Sequence, residues 1–541
     1  MDKASVSSLP LYSGKWGKKQ MMHLLRRTQI GVGVGDFNAL KVLTFEQAIE
    51  RQISTFPVPD APVNDYKGDT SEPDPDIAFG ETWVKAAYSS GNNESRRRDS
   101  LKGWLIKNAI GHQGIHEKML LFLHNLLVVD RDSIVKLQYQ YFELLREFAL
   151  GNYKTLIKEL TINPAMLRYL NGNSNTVKAP DENYGRELQE LFTVGKGANS
   201  KYTEDDVREA ARVLTGWKTY YNEFKLEGEA KSEFSANNHD TTDKTFSEFY
   251  GNKVIIGRSG ASAGEEELND LLDMIFETNE AALYICRRLY TFFVYSEIDE
   301  QTEIEIIEPL AEVFRESNYE LKPVLEALFK SDHFYQDKYI GALVKSPMEF
   351  VVGLWRGLDV KYNAPDDINW VYYVNKSLKW ALDDMGMDPG DPPSVAGWPV
   401  YYQAPLFDKA WITTDTITER AEFSDRLVQR GVWVKNKDTD EVVYIKADLI
   451  EFLKELENPA DPNLMINEAN DFLMGHEISA EEKEYLKSSL LLSGQNTDDY
   501  WTEAWYNHIN NPNDTTAKGE VETRLMSMFK SMLQLGEVNL M

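Results

Sequence analysis

Residues 179–195 read APDENYGRELQELFTVG, and this stretch decides the fold. It sets Asn183, Glu187 and Glu190 four and three positions apart. Side chains at those spacings stack on one face of an α-helix. Leu188, Leu191 and Phe192 supply an apolar stripe beside them. Gly195 follows where a left-handed cap ends a helix. Two carboxylates and an amide beside core residues are costly to bury unless a metal ion, an arginine or a ligand answers them.

The same period extends outward. IHEKMLLFLHNLLVV and KLQYQYFELLREFALGNYKTLIKELTINPAMLRYLNG make residues 80–220 helix after helix, punctuated by Gly151 and Pro164. Residues 15–54 read as short helices broken by GVGVGD, a turn that lacks the lysine of a phosphate loop. Residues 55–80 are rich in Pro and Asp and predict an exposed connection or an extended arm. Residues 222–264 lose the helical period and predict a long loop or a small hairpin. Helices resume at 265–295, 301–331 and 346–360. Residues 389–411 form an irregular aromatic, proline-rich loop, and 430–446 read as a hairpin. The fold class is mainly α, with a few short strands in long loops. Four regions follow: 1–54 with short helices, the connection 55–80, a main helical domain 81–425, and a C-terminal hairpin and helical extension 426–541.

The chain has 541 residues, 42% hydrophobic and 27% charged, which suits a large globular core. Lys and Arg number 58 against 87 Asp and Glu, a formal net charge of −29. Such an acidic surface argues against broad nucleic-acid or anionic-membrane binding, favours solubility and leaves cations or basic partners open, with plain surface solvation the simpler reading of the charge. The single cysteine, Cys286, sits in an apolar segment and excludes an internal disulfide. No signal peptide and no transmembrane segment is read in the chain as given, so both a cytoplasmic location and export with a partner stay open.

Further motifs carry a family resemblance. HLLRRTQIG, HEKMLLFLHNLL, NPAMLRYLNGNSN, APDENYGRELQELFTVG, YTEDDVREAARVLTGW, HDTTDKTF, KSPMEFVVG and PPSVAGWP, then KAWIT, occur in this order over roughly residues 20–425. In these motifs the chain resembles the bacterial family known as domain of unknown function 1800. The last hundred residues match weakly, through a terminal helix. The resemblance implies no activity. It implies a possible joint task at the cell envelope with a co-encoded protein of the domain of unknown function 1501 family, which resembles the alkaline-phosphatase superfamily. Three departures stand out. Leu126 follows His124 and Asn125 where the family often has a second histidine. Thr242 and Asp243 precede Lys244 where it often has Gly-Pro. Val400 and Tyr401 follow GWP where it often has Gly-Gly.

The candidate chemistry gathers on these motifs. Glu117 and His124 lie two helical turns apart, near one face. With Glu187, Glu190 and His239 they form a ligand set suited to zinc, manganese or iron, although the Glu-x-x-His spacing of bundle metal sites is absent. His239 and Asp240 suit a base and its orienting carboxylate, with Lys244 neutralising an anion; an Asx turn that only shapes the loop is the plainer reading. In PPSVAGWP, Gly397 permits close approach, and Trp398 suits stacking on a ligand or packing onto helices. Asn183, Glu187 and Glu190 alternatively join Arg186, Arg208 or Arg212 in a polar network. The expected centre is a polar cleft between helices 116–127 and 181–194, covered by loop 235–250. It supports two readings: an enzyme-like, metal-dependent site for an envelope-associated substrate, or a non-catalytic helical scaffold that binds the co-encoded protein.

Overall fold

Capping residues set the helix starts in the computed structural model, which describes residues 9–69, 72–88, 93–130, 134–220, 227–362 and 367–541. Thr203 Oγ1 accepts from the Asp206 N–H and Asp206 answers the Thr203 N–H, opening Glu204–Val213. Ser346 and Glu349 do the same for Pro347–Gly357, with Pro347 in the first turn where its missing N–H is harmless. Asn163 caps Pro164–Tyr169, so Pro164 starts a helix as its position predicts. Gly195 adopts φ +75°, the expected left-handed stop.

The protein is mainly α: 57% of it is helical and 5% lies in short strands. Three antiparallel pairs account for the named strands of the described residues. Trp217–Lys218 pairs with Glu233–Phe234, and Lys244–Thr245 with Val254–Ile255, so the described part of the 222–264 stretch carries three short strands, the first paired back onto 217–218; residues 222–226 lie outside the described residues, as do 1–8 of the N-terminal region. Val432–Lys435 pairs with Val442–Ile445, the hairpin expected at 430–446. Among the described residues no helix is long and apolar enough to cross a membrane.

The helix His116–Leu126 lies at the centre, and every one of its residues is buried. Leu120, Leu121, Phe122 and Leu123 drive that burial, each burying its side chain in a shared apolar core. It packs on Val135–Glu147, which joins it to Glu94–Gly111 and then Ile368–Asp384. That last helix has no counterpart among the sequence expectations. Its tight packing rests on Gly103, where a Cβ would lie 3.1 Å from that of Asn375.

One expectation is narrowed and one needs correction. Of the two alternatives for 55–80, the described residues fit the extended arm and not the exposed connection. Tyr66, Ile77 and the adjoining Trp83 are buried, and Asp74 holds Arg97 at 2.8 Å with both side chains fully buried. Trp104 also donates its indole N–H to the Asp60 carbonyl oxygen. Apolar anchors and an ion pair draw this arm onto Glu94–Gly111. The correction concerns the 181–194 helix, which is α only over Asn183–Glu187 and becomes a π-turn over Leu188–Thr193. The Gln189 amide donates to the Gly185 carbonyl oxygen and accepts from the Tyr250 hydroxyl, which stabilises the widened turn.

Candidate functional site

A helix buried on all sides must partner its polar side chains internally. Glu117, Lys118, His124 and Asn125 therefore define the interior chemistry of His116–Leu126. Glu117 accepts from Arg146 at both carboxylate oxygens, at 3.1 and 3.2 Å, and Arg146 stacks 4.4 Å from the Trp104 ring. Burial still raises the Glu117 carboxyl above its ordinary pKa, against the pull of Arg146. Lys118 pairs with Glu349, and burial drives its amine well below the usual range. Asn125 accepts from the Trp398 N–H at 2.8 Å. Gly397 is required beside it, because it has φ +85° and a Cβ there would lie 2.3 Å from the Asn125 carbonyl oxygen.

His116, whose Nδ1 has no partner among the described residues, and His124 are the exceptions to this internal pairing. Tyr141 gives its hydroxyl proton to the Leu127 carbonyl oxygen, so His124 Nδ1 donates to the Tyr141 oxygen at 2.9 Å. Nε2 is left a bare acceptor with no partner among the described residues. Burial, with Lys102 adding to it against Asp391, pushes the imidazole down to about 3, so it is neutral at pH 7. Glu117, His124 and Trp398 line one small cavity of about 40 Å³ with Leu105, Leu121 and Phe142. Trp398 is buried edge-on to His124 with ring centres 5.8 Å apart, so it packs inward and presents no open stacking face.

The other predicted residues stand elsewhere. No hydrogen bond or ion pair joins His124 to Glu187 or Glu190 among the described residues. Glu190 pairs with Lys196 at 2.8 Å. Glu187 is half-buried and makes no ion pair among the described residues; burial and the Glu190 charge raise its carboxyl. Asn183 starts the helix, and its backbone N–H donates to Asp181. The expected arginine network takes other acids: Arg186 binds Glu204 and Glu182, Arg208 binds Asp205, and Arg212 binds Asp240 and Glu209.

His239, Asp240 and Lys244 do come together, but not as the expected base and orienting carboxylate. Asp240 accepts from the Thr242 N–H at 2.9 Å and from Arg212 Nε at 2.8 Å, which makes it an Asx turn tied to Glu204–Val213. Burial alone raises this carboxyl, but Arg212 and Thr242 outweigh it and hold it well below the usual range. His239 Nδ1 faces the Thr215 carbonyl oxygen at 2.9 Å, and Nε2 lies 3.1 Å from Glu267 outside hydrogen-bond alignment. Lys244 binds the other Glu267 oxygen at 2.6 Å. Burial of Glu267 is likewise outweighed by His239, Lys244 and the Arg258 N–H, and its carboxyl is lowered. Glu267 and Arg146 are the residues that sequence reasoning missed. Glu267 is one of three consecutive glutamates, and Arg146 is one of many helical arginines, so spacing singles out neither.

The predicted ligand set is thus split among three places. Among the described residues no group of three or more His, Cys, Asp or Glu is arranged to hold a metal ion. The residues present do not fit the zinc, manganese or iron centre expected of them.

These features define a large helical protein whose motif residues lock helices and loops together through buried ion pairs. The chain belongs to the family described as protein of unknown function (DUF1800), whose profile matches residues 23–523. That match runs well beyond residue 425 and takes in most of the C-terminal extension. No curated protein and no solved structure matches the chain.

Proposed function

We propose that this protein acts as a non-catalytic helical scaffold that binds a protein partner, the co-encoded member of the domain of unknown function 1501 family. One observation carries the reading: Glu117, Asp240 and Glu267 are each committed to a cation on another element, Arg146, Arg212 and Lys244. Carboxylates held in this way fix structure and are poorly placed to move protons. The net charge of −29 supports a partner with a basic face, whose attraction weakens as salt screens it. The test is to mix the two purified proteins and follow size-exclusion chromatography with light scattering at low and high salt. A complex that loosens with salt is expected; no complex at low salt rejects the reading.

A second reading, an enzyme-like site for an envelope-associated substrate, draws on the unpaired His124 Nε2 facing an apolar cavity. The neutral imidazole held by Tyr141 offers a free acceptor to a substrate donor, and it becomes a competent general base only where substrate binding raises it from about 3 toward neutral. Turnover of an envelope-type substrate that His124→Gln abolishes, with the fold kept, is the result that favours it.

A further inference from the structure

Two motifs left unused by the scaffold reading, HLLRRTQIG and KSPMEFVVG, meet in space. Their final glycines touch: Gly31 has φ +78°, and a Cβ on it would lie 2.6 Å from the Gly353 Cα. Arg356 closes the junction by donating to the Ile30 carbonyl oxygen at 3.0 Å and to Asp36 at 2.8 Å. This contact brings the end of Lys18–Thr28 against Pro347–Gly357 and puts Arg26 and Lys345, with Glu349, on the wall of one small cavity of about 20 Å³. Arg26 also lines an adjoining cleft of about 230 Å³, together with Lys18, Lys19, Asn470 and His476 and with the acids Asp337, Asp471 and Glu477.

Among the described residues four cations gather here with no ion pair, although the Asp471 charge acts on Arg26. Arg26 donates to the Asp471 carbonyl oxygen, and Lys345 to that of Val538 at 2.7 Å. Arg27 is fully buried; it donates to the Tyr339 carbonyl oxygen at 2.7 Å, and its Nε and Nη1 have no partner. Arg420 is 1% exposed; it donates to the Lys345 carbonyl oxygen at 2.8 Å and to Asn539 at 3.2 Å, and its Nε has no partner. Nearby acids do not balance them. Asp471 is paired with Lys18 and Glu349 with Lys118, which leaves Asp408 near Arg27. Burial depresses all four, with Lys345 brought to about 7 and Arg27 and Arg420 to about 9. Mutual repulsion adds to it: Arg26 and Arg420 both act on Lys345.

Arg27 and Arg420 are buried, and Arg26 and Lys345 half-buried; cations gathered in this way call for an anion, and guanidinium groups match oxyanions well. We propose that Arg26 and Lys345, backed by Arg27 and Arg420, form a binding site for a small multivalent oxyanion, a phosphate or polycarboxylate compound. The site is independent of the partner-binding role.

The test uses the full chain and three probes, inorganic phosphate, pyrophosphate and citrate, each against sodium chloride of equal ionic strength. Calorimetric titration should give saturable binding for at least one probe, and its identity separates the phosphate from the carboxylate class. Arg26→Gln and Lys345→Met should each weaken that binding about tenfold or more, the loss expected for one charge-assisted contact. Lys322→Gln, a surface lysine paired with Glu50, should leave it unchanged. Wild-type protein that shows no saturable binding to any probe overturns the proposal, whether or not the variants fold. So does equal binding by wild type and both folded variants.

Discussion

Replacing Glu117 with alanine takes away the carboxylate that grips Arg146 by both oxygens. Both side chains are 5% exposed, so the arginine stays buried with half its partners gone. Removing one member of a buried pair costs about 3–5 kcal/mol. Arg146 keeps Glu143 at 2.6 Å, and that glutamate is 28% exposed, so the low end applies. Unfolding entropy near about 2.1 cal/mol/K per residue gives roughly 1.1 kcal/mol/K over 541 residues, so a loss of about 3 kcal/mol lowers Tm by about 3 °C. Differential scanning calorimetry at pH 7 resolves such a change. A second variant sharpens the argument. Burial raises the Glu117 carboxyl despite Arg146, so the attraction does not fully offset desolvation. Glu117→Met with Arg146→Met should therefore recover to within about 1 kcal/mol of wild type. A single variant that melts within about a degree of wild type refutes the reasoning, as does a double variant that falls by the sum of the two singles.

Three further outcomes follow from the same geometry. Gly397→Ala should dislodge the 389–411 loop from Asn125, losing about 2–4 kcal/mol through a clash compounded by a left-handed backbone; limited proteolysis in that loop should quicken, and an unchanged digestion rate counts against the contact. Glu187→Gln should be neutral within about 0.5 kcal/mol or slightly stabilising, since it removes a carboxylate raised by burial and by Glu190 and breaks no ion pair; a clear loss in urea unfolding would reveal a partner for it. The His124 imidazole is about 3 in the folded chain against an ordinary value of about 6.5, so the unfolded chain binds the extra proton between those values, and stability falls as pH drops through that window by up to about 1.4 kcal/mol per unit. His112 and His116, both lowered to about 4 chiefly by burial, act in the same direction, and Asp65, raised to about 7 by burial, opposes them. Urea midpoints at pH 7, 6 and 5 measure the slope, and His124→Leu should make it shallower; equal slopes would place His124 in contact with water.

Local rules account for much of the fold. Caps at Thr203, Asn163 and Ser346, the stop at Gly195 and the break at Pro164 all act within a few residues, so they are legible in a sequence. The helix Ile368–Asp384 was not legible because Trp370, Val371, Tyr372, Tyr373 and Val374 suit a strand as well as a helix. Packing on Glu94–Gly111 decides for the helix. The π-turn at Leu188–Thr193 depends on Tyr250 reaching back to Gln189, a partner 61 positions away that no helical wheel includes. The candidate site shows the same limit. His124, Glu117, His239 and Asp240 were recognisable as buried polar residues with work to do, and the close approach at Gly397 was legible. Their partners Arg146, Glu267 and Asn125 come from distant segments, and only the folded chain selects them from many equivalent residues.

The Gly31–Gly353 contact restricts how the chain can be recombined. A chimera that joins residues 1–54 of one relative to the remainder of another cuts between the two halves of this contact. If the first half brings alanine or a larger residue at position 31, the main chains cannot close to the separation seen here, and the helix carrying Arg26 tilts away from Lys345; an alanine at 353 would sit 3.7 Å from the Gly31 Cα, an ordinary contact. Exchanges that keep HLLRRTQIG and KSPMEFVVG from the same parent should fold, whereas those that separate them should fail more often than their overall identity would suggest.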